Sequence, residues 1–186
     1  MAKSALLVMD VQQVIAGRID DEAGYLRRLR RAIAAAHAAN LPVIYVVVGF
    51  RNGHPEISTR NKGFRAIPSA LGLVDGDPSA EIHPDVAPLP GDVVVTKKRV
   101  SAFAGSDLDI LLRAGDIDSV VLVGLATSGV VLSTLRQAAD LDFGLTVLAD
   151  GCLDTDPEVH RVLTEKVFPR QADVVTVDEW VRAIGK

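Results

Sequence analysis

The sequence predicts an α/β chain with a parallel sheet covered by helices on both faces. Three observations predict it. Short apolar runs alternate with stretches of helical spacing along the whole chain. The runs are Val-rich and continuous, as in strands buried on both faces. Polar residues collect where those runs end, which is where open parallel sheets bind ligands. Right-handed crossovers make such a sheet doubly wound, a three-layer arrangement.

Residues 5–9, ALLVM, form the first strand and stop at Asp10. Residues 21–39 carry Leu26, Leu29, Ile33 and Ala36 at helical spacing, with acids at the start to suit the helix dipole. Residues 41–50 are the second strand. Residues 51–90, rich in Gly, Pro, Ser and Asn, read as a long functional loop with a short helix near 64–72. The third strand is 92–97, followed by a helix over 106–115 that ends on Gly115. The fourth strand is 119–125, running into a helix over 128–140. The fifth is 145–150. Asp156 as N-cap and Pro157 at the first helical position predict a helix over 156–168. A last strand, 173–178, precedes a helix over 179–184.

Composition narrows the class. The 186 residues suit a single domain over 1–186, and a 48% hydrophobic content supplies a core. The net charge is −4 with no long basic run and 4% aromatic residues, which argues against nucleic acid as the partner. The one cysteine, Cys152, excludes a disulfide framework within one chain and points to a cytoplasmic location. The segment MAKSALLVMD is too short for a signal peptide, and no apolar run reaches the ~18 residues of a membrane span.

The polar strand ends are Asp10, Lys97 with Lys98, the 126–130 turn, and Asp150. Asp10 and Lys97 read equally as a working pair in one crevice or as a structural ion pair. Asp150 reads as a helix-entry or turn residue rather than a catalyst. Arg51, Arg60, Lys62 and Arg65 on the loop read either as binders of a carboxylate substrate or as a solvated basic stretch.

LLVMDVQQ, VVVTKKRVSAF and VLVGLATSGVVLSTLRQAADLDFGLTVLADGC, taken together and in order, resemble the isochorismatase-like hydrolases. These are also called the cysteine hydrolase family and include nicotinamidases and carbamoylsarcosine amidases. The resemblance implies strand order 3-2-1-4-5-6 and places the family's aspartate at Asp10 and its lysine at Lys97. The family turn runs Gly-hydrophobic-X-Thr-X-X-Cys-Val-X-X-Thr. Aligned on Gly124, Thr127, Val131 and Thr134, it puts Val130 at the nucleophile position. It also implies a cis peptide at Leu125–Ala126, with the N–H groups of Ala126 and Val130 as oxyanion hole. Valine has no lone pair to attack with, so no thioester can form at residue 130. Thr127 is read as bracing the turn and, with Ser128 and Arg60, as a candidate substrate contact. Ser128 is also the minor alternative as nucleophile, and Cys152 is read as an inert buried thiol.

The metal-binding Asp-X-His of nicotinamidases is absent from GFRNGHPEISTRNKGF, which offers only His54, so no metal and no cofactor are expected. His37 and His160 are placed on helix surfaces. Isochorismatases carry glycine at the cysteine position, where the bulkier valine here would fill space. The resulting expectation is hydrolysis of a small carboxylated metabolite without a thioester, Asp10 acting as acid/base and Lys97 as its electrostatic partner. The rival is a non-catalytic binder or partner subunit. A homo-oligomer, a dimer by family resemblance, and a small-molecule ligand without membrane contact complete the reading. Two physical expectations attach to the pair. Lys97 starts about 9–10 Å from strand one, so the chain after strand three must lean inward. And the ammonium is expected to outweigh burial, keeping Asp10 ionised as a base.

Overall fold

The computed structural model describes residues 3–19 and 21–185. Six parallel strands form one sheet in the order β3-β2-β1-β4-β5-β6, as expected. They are β1 (Ser4–Met9), β2 (Val43–Val48), β3 (Val93–Lys97), β4 (Ser119–Leu125), β5 (Gly144–Leu153) and β6 (Asp173–Val175). The helices are α1 (Gln13–Ala16), α2 (Glu22–Ala38), α3 (Ile67–Ala70), α4 (Leu108–Ala114), α5 (Leu132–Asp140), α6 (Pro157–Val162) and α7 (Val177–Ile184).

Strand side chains alternate between faces, so one continuous apolar run feeds two cores. Leu7, Met9, Val46 and Leu122 pack with Leu112 of α4 and Leu135 of α5. Leu6, Val8, Tyr45 and Val123 pack with Leu29 of α2 and Trp180 of α7. A third, smaller cluster joins Phe50, Phe64 and Leu73 under the long loop.

Several boundaries differ from expectation. The helix expected from 128 begins only at Leu132. Before it, Thr127–Val131 form a wide turn broken by Gly129, whose φ −95° and ψ −106° are not helical. The helix expected over 156–168 is regular only to Val162; Asp156 caps it by accepting from the N–H of Glu158 and Val159, and Pro169, which has no N–H to donate, falls in the 3-10 turn after it. The last strand stops at Val175 because Thr176 is already the N-cap of α7, in a reciprocal pair with Glu179. Strand β5 runs on to Leu153, past a register shift between Leu122 and Gly124 of its neighbour.

Gly124 sits opposite Met9 in the β1–β4 ladder with φ +148°. A Cβ there would stand 2.2 Å from the Met9 carbonyl oxygen. The two strands meet closely just where β1 hands over to Asp10, and only glycine permits it. Gly124→Ala is expected to lower stability to urea by about 2 kcal/mol or more, since backbone must move to admit the methyl. An unchanged midpoint would show that the strands can part freely.

Candidate active site

Asp10 leaves β1 in the left-handed region, φ +57°, with its N–H bonded to the Val46 carbonyl at 2.8 Å. Lys97 ends β3 in register with Val48. Its Nζ lies 3.0 Å from Asp10 Oδ2 and donates to the Arg99 carbonyl at 2.8 Å. The side chain thus spans the intervening β2. The chain bends directly after β3, over residues 98–101, and brings the Arg99 carbonyl back to the ammonium.

The pair is nearly sealed: Asp10 is 6% exposed and Lys97 2%. Asp10 Oδ1 is buried with no hydrogen-bond partner. Burial pushes the Asp10 carboxyl above its ordinary range, and Lys97, through charge and hydrogen bond, only partly opposes it. The expectation that the ammonium prevails is therefore corrected in direction. Loss of water around the carboxylate outweighs one cation 3.0 Å away. A carboxyl raised in this way is suited to giving a proton.

The turn after β4 faces the same strand ends. The Leu125–Ala126 peptide is cis. The Ala126 carbonyl accepts from Gly129 and Val131, closing the turn. Thr127 is fully buried, and its hydroxyl meets His160 Nδ1 at 2.8 Å. The exposed Ser128 gives its N–H to Asp154 Oδ2 at 2.7 Å. Burial raises Asp154, but the bonds from Ser128 and neighbouring backbone outweigh it and hold the carboxyl below its usual range. Val130 is 2% exposed and belongs to the core cluster that also holds Met9, Val95, Ala102 and Phe103. His160, placed on a helix surface from sequence, is half-buried and pins the turn instead.

Gln12 was not singled out by sequence, yet it is 1% exposed. Its amide accepts from the Val48 N–H at 2.9 Å and donates to the carbonyls of Val48 at 3.0 Å and Ala80 at 2.5 Å. A polar residue three places past an apolar strand was the available signal. Asp150 Oδ1 accepts from the Val177 N–H at 2.7 Å, a capping role at α7. Arg60 is exposed and its side chain makes no hydrogen bond or ion pair among the described residues. Arg51, Lys62 and Arg65 are exposed as well. Cys152 is fully buried, and burial pushes its thiol up to about 12. His54 is engaged by the Gly72 carbonyl at 2.6 Å, and among the described residues no three His, Cys, Asp or Glu side chains gather to hold a metal.

A sequence model of the isochorismatase domain matches residues 4–179. The chain belongs to the isochorismatase family. Among its isochorismatase-family relatives is the ureidoacrylate amidohydrolase of Stutzerimonas stutzeri, 32% identical over 98% of this chain and 80% of that one. A cysteine hydrolase structure from Pseudomonas syringae pv. phaseolicola superposes with a TM-score of 0.89 at 25% identity, covering 98% and 92% of the two chains. N-carbamoylsarcosine amidase from Thermoplasma acidophilum superposes at 0.76 with 28% identity, covering 95% and 97%. No helix among the described residues is long and apolar enough to cross a membrane.

Burial lowers the His160 pKa below 6.5, against a weaker upward pull from Asp154. The unfolded chain then binds that proton more readily, so the contribution is complete above 6.5 and is lost as pH falls toward the folded value. Protonation also leaves Nδ1 able only to donate to the Thr127 hydroxyl. The melting-temperature advantage of the wild type over His160→Gln should shrink between about pH 7.5 and 5. An advantage that stays constant across that range would contradict a neutral, turn-pinning imidazole.

Proposed function

We propose that this isochorismatase-family chain hydrolyses a small carboxylated metabolite without a covalent thioester, with Asp10 as the proton donor. The observation that carries the reading is the sealed Asp10–Lys97 pair with one carboxyl oxygen left unpartnered. Gly124, Thr127, Val131 and Thr134 match the family turn and align Val130 with the family's cysteine. The sole cysteine, with its thiol pushed up to about 12, is unsuited to attack at neutral pH.

In this reading Lys97 fixes Asp10, and Oδ1 passes its proton to the leaving atom or to an enol ether carbon. Water adds to the electrophilic carbon and returns a proton to Asp10. The N–H groups of Ala126 and Val130 receive developing negative charge. His160 and Asp154 hold the turn through Thr127 and Ser128. The exposed Ser128 and Arg60 are the proposed contacts for the substrate. The relatives named for ureidoacrylate and N-carbamoylsarcosine favour a carboxylated ureide or amide as substrate.

A second reading, a ligand-binding member without turnover, is favoured by the 6% and 2% exposure of the pair and the apolar packing of Val130. A panel of small carboxylated ureides, amides and enol ethers separates the two. With a turned-over substrate, Asp10→Asn should lose ~10²–10⁴-fold in kcat with KM little changed. Cys152→Ser should stay within about threefold of wild type. Full turnover in both Asp10→Asn and Lys97→Met would remove the pair from the mechanism. No turnover of any panel member, with both variants merely melting earlier, would establish the second reading.

A further inference from the structure

The sheet has a second, unused recess on the face away from Lys97. Side chains alternate along β3, so Thr96 and Val94 point opposite to Lys97 and Val95. A cavity of about 530 Å³ opens beside them, inside the ~300–1,000 Å³ range of small-molecule sites. Val47, Val94 and Thr96 line the sheet side, and Val74, Ile82 and Pro88 the loop side. Gln12 closes one end, but its amide is spent on Val48 and Ala80 and offers shape alone.

The charged residues lining this recess are all acids: Asp75, Asp77 and Glu81. The Asp75 carboxylate lies directly over Gly49, where a Cβ would come within 2.2 Å of Oδ1. Lys98 stands 3.5 Å from Asp75, but its ammonium is held by the Gly49 carbonyl at 2.7 Å. Asp77 accepts from the Ser79 N–H and hydroxyl, and those bonds hold its carboxyl below the usual range. The Glu81 carboxylate is exposed, with no hydrogen bond or ion pair among the described residues. Three acids against one neighbouring lysine leave the mouth negative, while the walls are apolar.

We propose that this cavity binds an organic ammonium ion, a protonated amine carrying an apolar body of aromatic or branched aliphatic size. The walls take the body and the carboxylates select the charge. The same carboxylates repel an anion, so the recess rejects the carboxylated substrate class assigned to the Asp10 side. The two sites are thereby separable by ligand charge.

Binding of phenethylamine to the whole chain at pH 7, followed by calorimetry or protein NMR, tests this against two controls with the same two-carbon linker, the neutral 2-phenylethanol and the anionic 3-phenylpropionate. Saturable binding of the amine in preference to both is expected. Glu81→Gln and Asp75→Asn should each weaken it by about two- to fivefold, the range of a partly solvated ion pair. Val94→Trp, at a half-exposed edge position, should fill the recess and abolish binding, whereas Lys97→Met should leave it intact. Equal binding of amine and alcohol, persistence of binding in Val94→Trp, loss in Lys97→Met, or no saturation up to about 10 mM amine would each overturn the assignment. Glu81→Gln alters an exposed side chain and keeps the test open if Val94→Trp does not fold.

Discussion

Taking the Asp10 carboxyl and the Lys97 ammonium out of water costs several kcal/mol for each ion, and one contact at 3.0 Å does not cancel that by itself. The surrounding structure offsets part of the remainder, and the unpartnered Asp10 Oδ1 keeps the carboxyl above its ordinary range. The Arg99 carbonyl takes a second ammonium proton. Asp10 is fixed by its own N–H on Val46 and by a left-handed backbone that aims the carboxyl across β2. The strand order matters for the same reason. Because β2 lies between β1 and β3, only a side chain as long as lysine closes the gap, and it does so over the top of the sheet.

The turn after β4 is held from a different quarter. Neither Asp154 nor His160 lies on the strands that carry the pair; both come from the β5–α6 connection and α6. They fix Ser128 through its amide and Thr127 through its hydroxyl. The candidate site is therefore assembled from two halves, β1 with β3 and β4 with α6, that meet at the ends of the central strands.

What could be read from the sequence followed from burial. Strands β1, β2 and β4 are continuous apolar runs, and a run covered on both faces announces itself without alternation. β3 reads the same way in sequence but is the sheet's edge, with Val93 and Val94 exposed. Asp10 and Lys97 were visible because a charge at the end of such a run is conspicuous. Less legible were features that depend on distant partners. The Thr127–Val131 turn looks like a helix start in composition, and only Gly129's backbone shows otherwise. Thr176 looks like one more strand residue until Glu179 folds back on it. Gln12, 36 residues from Val48, and His160, 33 from Thr127, owe their roles to tertiary contact. The direction of the Asp10 shift also needed the structure, because spacing reveals the neighbouring cation but not the missing water.

Gln12 has a consequence for how the sheet ends. Its side-chain amide gives and receives hydrogen bonds with both backbone groups of Val48, as a further residue of a neighbouring strand would. β1 has already turned away at Asp10, so a side chain stands in for one rung of ladder. The last residue of β2 is thus capped while the backbone of β1 is released to carry a functional group. A sheet that ended its central strand by ordinary pairing would have to choose between a satisfied edge and a freely aimed aspartate; here a single amide separates the two demands.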